Sequence, residues 1–192
     1  MKINQLRWNR IAILAFIPVL LCLAIFVFGS VITHNIKQSF WKNDPIQAAQ
    51  IAHAMTDYTL PAGYQERAYF QFQDLNQVII RPGDAVGGMD ILLFNETLDM
   101  SEQELIDALE DNWVKEVGEH TYQTERAYTE TVMLCGQETL LSYRTGTNED
   151  NQAVKQLVTI FYGKSGWVVV VIASPVEYWN QDLVNEFLYS LK

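Results

Sequence analysis

The hydrophobic pattern begins with an uncharged apolar run of 22 residues, from Ile11 to Ile32. As an α-helix, a run of this length crosses the roughly 30 Å hydrocarbon core of a bilayer. The pattern therefore predicts a transmembrane signal anchor over residues 11–32. It follows a short cytoplasmic N-terminus (1–10) and precedes a juxtamembrane linker (33–43) and one soluble domain (44–192).

The alternative interpretation of the run is a cleavable secretory signal. The apolar core of such a signal usually spans only about 7–15 residues and ends in small residues, whereas bulky Phe28 and Val31 flank the small pair Gly29 and Ser30. We therefore expect the anchor to be retained in a membrane, which is the inner membrane if the source is a bacterium. The positive-inside tendency favours a cytoplasmic N-terminus, because three basic residues precede the run and two follow it closely: Lys2, Arg7 and Arg10, then Lys37 and Lys42.

Beyond the run, the pattern changes to short elements separated by turn residues. Asp44 and Pro45 are typical of an N-cap and a first helical position, and they predict a helix through Met55. Alternating or continuous apolar stretches then predict seven strands. These are Glu66–Gln73, Val78–Arg81, Met89–Phe94, Tyr122–Leu134, Thr139–Thr147, Ala153–Tyr162 and Trp167–Ala173.

Two further helices are predicted. A capping box of Ser101 and Glu104 precedes apolar residues at helical spacing, and Gly118 would end that helix. Its apolar stripe is Leu105, Leu109, Trp113 and Val117. Ser174, Pro175 and Glu177 predict the start of a C-terminal helix that packs onto the sheet. The predicted fold class is α+β: one N-terminal transmembrane helix followed by an antiparallel sheet packed with helices, as in an α/β sandwich.

Charge is distributed unevenly along the chain. All 23 acidic residues and 10 of the 13 basic residues follow the apolar run, so the region after it carries a net charge of −13. Such a surface repels nucleic acid, which we exclude as a partner. The outward side of the Ser101 helix carries the candidate interaction residues Glu102, Asp107, Glu110 and Asp111. The alternative is a solvated face whose N-terminal acids are stabilised by the helix dipole.

No residue pattern indicates catalysis, a cofactor or a metal. The last three residues of a phosphate-binding loop motif occur at Gly163, Lys164 and Ser165. The motif also requires a glycine five residues before Gly163, and this position is Val158. A hairpin turn is therefore expected. The three histidines, His34, His53 and His120, lie far apart in the sequence and have no metal-ligand spacing. Cys22 lies in the apolar run, and Cys135 is interpreted as a small buried residue and not as a nucleophile.

Two aromatic groups fit either core packing or a shallow ligand groove. The first is Tyr64, Tyr69, Phe70 and Phe72, and the second is Trp167, Tyr178 and Trp179. Asn95, Glu96 and Thr97 also match a glycosylation acceptor, which matters only in a eukaryotic secretory pathway.

Three segments carry a resemblance to a known superfamily: "MTDYTLPAGY" (Met55–Tyr64), "FYGKSGWVVVVIASP" (Phe161–Pro175) and "WNQDLVNEFLYSLK" (Trp179–Lys192). In element order and hydrophobic pattern, the region after the apolar run resembles the PsbP-like and DcrB-like α/β sandwich domains. The resemblance implies a small exported or membrane-tethered domain that assists a larger complex, with no common catalytic centre. No binding residues carry over, and a function inferred from fold alone is an analogy.

Together these features predict a membrane-anchored extracytoplasmic accessory or protein-interaction module. Its expected partners are the lipid bilayer, through residues 11–32, and a membrane or extracytoplasmic protein. A membrane-tethered domain that binds a small ligand and a membrane-tethered hydrolase are the alternatives, although the absence of a catalytic signature weighs against an enzyme.

Overall fold

A computed structural model describes residues 41–72, 75–83, 88–96, 116–117, 120–148 and 151–192. Within these ranges, no helix is long and apolar enough to cross a membrane. The predicted anchor over residues 11–32 lies outside them, as does the predicted acidic surface of Glu102, Asp107, Glu110 and Asp111.

The described chain begins with a helix, continues as strands and ends in a second helix. Helix α1 is Pro45–Met55, and helix α2 is Gln181–Ser190 after a 3-10 turn at Val176–Tyr178. The strands are β1 (Tyr64–Phe72), β2 (Leu75–Pro82), β3 (Asp90–Glu96), β4 (Glu116–Val117), β5 (His120–Leu134), β6 (Gln137–Asn148), β7 (Ala153–Gly163) and β8 (Gly166–Pro175).

These strands form one antiparallel sheet in the order β1-β2-β3-β8-β7-β6-β5-β4. Strand β4 adds only two residues at the edge. The last strand of the chain, β8, pairs with β3 on one side and β7 on the other, which joins the early and late strands. As the sequence predicts, β8 is buried on both faces, from Val168 to Ser174.

The main core lies between one face of the sheet and the two helices. We call this face the first face. Its inward side chains on the central strands include Leu93, Val170 and Leu157, and they pack with Met55 of α1 and Phe187 of α2. Burial of these apolar side chains is the main stabilising contribution here.

Helix α1 begins where the sequence predicts. The Asp44 side chain accepts hydrogen bonds from the backbone N–H groups of Ile46 and Gln47, both at 3.1 Å, and Pro45 occupies the first turn. The buried stripe is Ala48, Ala52 and Met55, with Ile51 only partly buried. Small alanines allow the helix to approach β1 and β2 closely.

The predicted α+β fold class is wrong for the part of the chain that the structure describes. That part is mainly a long-stranded antiparallel sheet with two short helices, both on the first face. Helix α2 has 10 residues and is about 15 Å long, whereas β5 has 15 residues and extends about 50 Å. Helices of this size cannot cover strands of this length, so these helices are not a full layer.

Two predicted helix limits also need correction. Glu116 and Val117 do not belong to the Ser101 helix; they form β4, in which Val117 pairs with His120. The rest of that predicted helix lies outside the described ranges. Helix α2 starts at Gln181 and not near Ser174, because β8 continues to Pro175 and Asn180 supplies the cap.

Candidate functional site

A group of polar side chains gathers where the end of α1 meets the β7–β8 turn. Lys164 lies in that turn, as the sequence predicts, and its Nζ donates hydrogen bonds to Asp57 Oδ1 at 2.5 Å and to the His53 carbonyl oxygen at 3.0 Å. The Lys164 ammonium lowers the pKa of the Asp57 carboxyl, chiefly through this hydrogen bond. Both side chains are solvent-exposed, so we treat the pair as a surface tether between two elements.

Beneath this pair lies a buried hydrogen bond. The Tyr58 hydroxyl donates to Glu66 Oε1 at 2.7 Å, and each residue is only 8% exposed. Desolvation, followed by the hydrogen bond to Glu66, raises the Tyr58 pKa far above its usual 10.0. The Tyr58 ring packs edge-on against Phe187 and stacks with His53. Tyr58 therefore stays protonated and enclosed, which suits a structural role and not proton transfer.

The C-terminal residues reinforce the same junction. Thr56 Oγ1 donates to the Lys192 carbonyl oxygen at 3.0 Å, and the Lys192 N–H donates to the Asp57 carbonyl oxygen at 2.9 Å. Ser190 Oγ accepts from the Thr59 N–H at 2.9 Å. This group thus fixes α1, α2 and the β7–β8 turn together and leaves no free reactive group at its centre.

A second group surrounds Lys155 at the other end of the sheet. Its Nζ lies 4.6 Å from the Trp179 ring centroid and 5.3 Å from that of Tyr143, which are cation–π distances. Desolvation lowers the pKa of Lys155. Gln181 bridges this group, accepting from Trp179 Nε1 and donating to the Tyr143 hydroxyl. The Lys155 ammonium group therefore occupies a face of Trp179, which is one of the aromatic residues that the predicted ligand groove would need.

The remaining predicted candidates take structural positions. Tyr69 is in the core, with its hydroxyl donating to Gln47, whereas Phe70 is half-buried. Asn95 is 2% exposed and its Nδ2 donates to the Trp167 carbonyl oxygen, so the folded domain does not offer it as a glycosylation acceptor. Within the described ranges, no group of three His, Cys, Asp or Glu side chains could hold a metal ion.

Many residues of the β5–β6 hairpin are exposed. Its turn, Cys135 and Gly136, has positive φ angles of 52° and 72°, as in the type I′ turns that suit two-residue hairpins. Cys135 is therefore in the turn and only half-buried, whereas the sequence analysis interprets it as a small buried residue. A turn with these φ values has a backbone twist that is compatible with the right-handed twist of the two flanking strands.

Apolar side chains are exposed near this turn. Met133 is 59% exposed, Leu140 50% and Tyr162 56%. All three point to the side of the sheet opposite the helices, because each is the neighbour in its strand of a residue in the main core: Leu134, Leu141 and Phe161. The Gln137 side chain bonds the backbone N–H and carbonyl of Tyr162, which ties β6 to β7 beside the group.

Among the described residues, no strand pairs with the outer edge of β5 over Ala127–Leu134. Strand β4 pairs only with His120 and Thr121. Because Leu134 and Gln137 close the two-residue turn, the N–H and C=O groups of Thr129, Thr131 and Met133 point away from β6. We call this open edge, with Met133, Leu140 and Tyr162, the hairpin surface.

No local sequence pattern indicates this surface or the Tyr58–Glu66 pair. The edge position of β5 depends on the strand order, which no local pattern reveals. Comparison with protein-family models and with curated proteins gives no match for this chain.

Proposed function

We infer that this protein is a membrane-anchored interaction module that binds a partner protein through the hairpin surface. The single observation that carries the proposal is that none of the described strands pairs with the outer edge of Ala127–Leu134, which lies beside exposed apolar side chains. A strand edge with free N–H and C=O groups is a template for pairing with another chain. The partner we propose is an extended segment of another protein that adds as a strand beside β5.

The chemistry of the edge limits the partner segment. Tyr128, Glu130 and Val132 alternate with Thr129 and Thr131 along β5, and residues 127–131 are exposed. A partner strand places its side chains directly beside these, where an opposite charge facing Glu130 is favourable and a like charge is not. The acidic composition of the chain also disfavours a second copy as the occupant. A segment that alternates apolar and basic residues fits best.

The anchor and location are part of the proposal. The apolar run Ile11–Ile32 supports attachment to a bilayer, and the basic residues before it support a domain on the non-cytoplasmic side. The PsbP-like and DcrB-like resemblance supports an accessory role. No arrangement among the described side chains favours a small-ligand site or a hydrolase centre.

A proline scan of the edge tests the proposal in cells. The full-length chain is crosslinked in cells and purified in mild detergent, and captured proteins are identified by mass spectrometry. Thr131→Pro removes an N–H that points away from β6, so it blocks the edge and keeps the β5–β6 ladder. Thr131→Val keeps this N–H and is the matched control. A chain of residues 1–43 reports capture by the anchor alone.

We expect a stoichiometric partner with the full-length chain and with Thr131→Val, and its loss with Thr131→Pro. Unchanged thermal unfolding of Thr131→Pro shows that the fold is intact. Equal capture by Thr131→Pro would overturn the edge as the binding site. Absence of any partner that the 1–43 control does not also capture would overturn the interaction role itself.

A further inference from the structure

The side of the sheet opposite the helices carries a second buried apolar surface, which we call the second face. Along β3, β7 and β8, its side chains alternate with those of the main core, as the period of two requires. Its buried apolar side chains, none of which is more than 9% exposed, include Leu92, Phe94, Val158, Ile160, Val169, Val171 and Ala173. Tyr162, at the end of β7, lies on the same face but is exposed.

The cover over this surface is not among the described elements. The core cluster that contains α1 and α2 includes none of these seven side chains. The cross-strand pairs that include Leu92 with Val171, and Val171 with Val158, place them together on one side. Apolar side chains with so little exposure require a covering layer.

Chain connectivity favours one segment as the cover. Residues 97–115 leave β3 at Glu96 and enter β4 at Glu116. In the strand order, β3 and β4 are five spacings apart, about 24 Å at roughly 4.8 Å per spacing. A segment that takes the direct route between these strands would pass over one face of the sheet, and α1 and α2 already occupy the first face. The second face is the one left to it.

The sequence of the segment suits an apolar surface. Leu105, Leu109 and Trp113 recur every four residues, whereas Asp107 and Asp111 fall between them. We propose that residues 97–115 cover the second face and turn Leu105, Leu109 and Trp113 toward it. The acidic side chains of the segment then face outward on the same side of the sheet as Met133 and Leu140. This inference does not depend on the partner proposed above.

Photocrosslinking of the purified full-length chain identifies the occupant. The photoreactive amino acid p-benzoylphenylalanine replaces Phe94, an aromatic position on the second face, and crosslinked peptides are mapped by mass spectrometry. We expect links to peptides within residues 97–115. Links to residues 1–40 would overturn the proposal in favour of the N-terminal segment. Crosslinked dimers, or links to another protein, would overturn it in favour of an intermolecular occupant.

Thermal unfolding gives an independent test that does not require the photoreactive residue to fit. Leu109→Ala removes a proposed contact, and Asp107→Asn changes the same segment on its outward side. We expect Leu109→Ala to lower the melting temperature by about 4–12 °C, with Asp107→Asn within about 2 °C of the parent protein. Equal melting temperatures for Leu109→Ala and the parent would overturn the proposal.

Discussion

Tyr58 and Glu66 join the loop after α1 to β1 by a 2.7 Å hydrogen bond between two buried side chains. We predict that Tyr58→Phe lowers the free energy of unfolding by about 1–3 kcal/mol, because it leaves a buried carboxylate without its donor. Urea unfolding at neutral pH measures the loss. Tyr189→Phe is the matched control, since Tyr189 is 66% exposed. Equal losses for the two variants would contradict this account.

The same tyrosine predicts a loss of stability in alkali. In the unfolded chain Tyr58 ionises near pH 10.0, whereas burial and Glu66 raise its pKa in the folded chain. The contribution of Tyr58 to the free energy of unfolding is therefore fully present below pH 10. Above pH 10, this contribution falls by up to about 1.4 kcal/mol for each pH unit. Urea unfolding at pH 8 and pH 11 measures this loss. Tyr58→Phe should lose less between the two pH values; an equal loss would contradict the assignment.

Gly163 lies against the end of α1. A Cβ at this position would lie 2.5 Å from the Met55 carbonyl oxygen and 2.6 Å from Val168 Cγ2. We predict that Gly163→Ala destabilises the fold by about 1–3 kcal/mol, since backbone and core would have to shift. Chemical denaturation measures the free energy of unfolding of this variant. Ser165→Ala is the control, because Ser165 lies in the same turn and is exposed. If Gly163→Ala is as stable as Ser165→Ala, the structure accommodates a Cβ at position 163 without cost, and the prediction is wrong.

The cap of α2 gives a further prediction. The Asn180 side chain accepts a hydrogen bond from the Leu183 N–H at 3.2 Å. Asn180→Ala should cost about 1 kcal/mol, and Asn180→Asp should keep the stability of the parent, because aspartate also accepts this bond. Thermal unfolding of both variants distinguishes loss of the cap from a general effect of substitution. A comparable loss with Asn180→Asp would argue against the cap.

Much of the strand pattern could be predicted from local sequence. Period-two alternation and the turn at Gly163–Gly166 indicate strands and hairpins because both depend on residues close together in the chain. Helix α1 was predictable for the same reason, since Asp44 and Pro45 form its cap within three residues. The start of α2 was not predictable, because Ser174 also resembles a cap and only the pairing of β8 with β7 extends the strand past it.

The uncharged run, the acidic balance and the alternation that marks each strand are evident in the amino-acid sequence. That β8 lies between β3 and β7, that only β4 lies beyond β5 among the described strands, and that Tyr58 contacts Glu66 became evident in the folded structure. These two kinds of feature differ in the sequence distance between the residues that interact. Alternation and capping act between neighbours in the chain, whereas strand order and buried contacts depend on which distant segments together bury the most apolar surface.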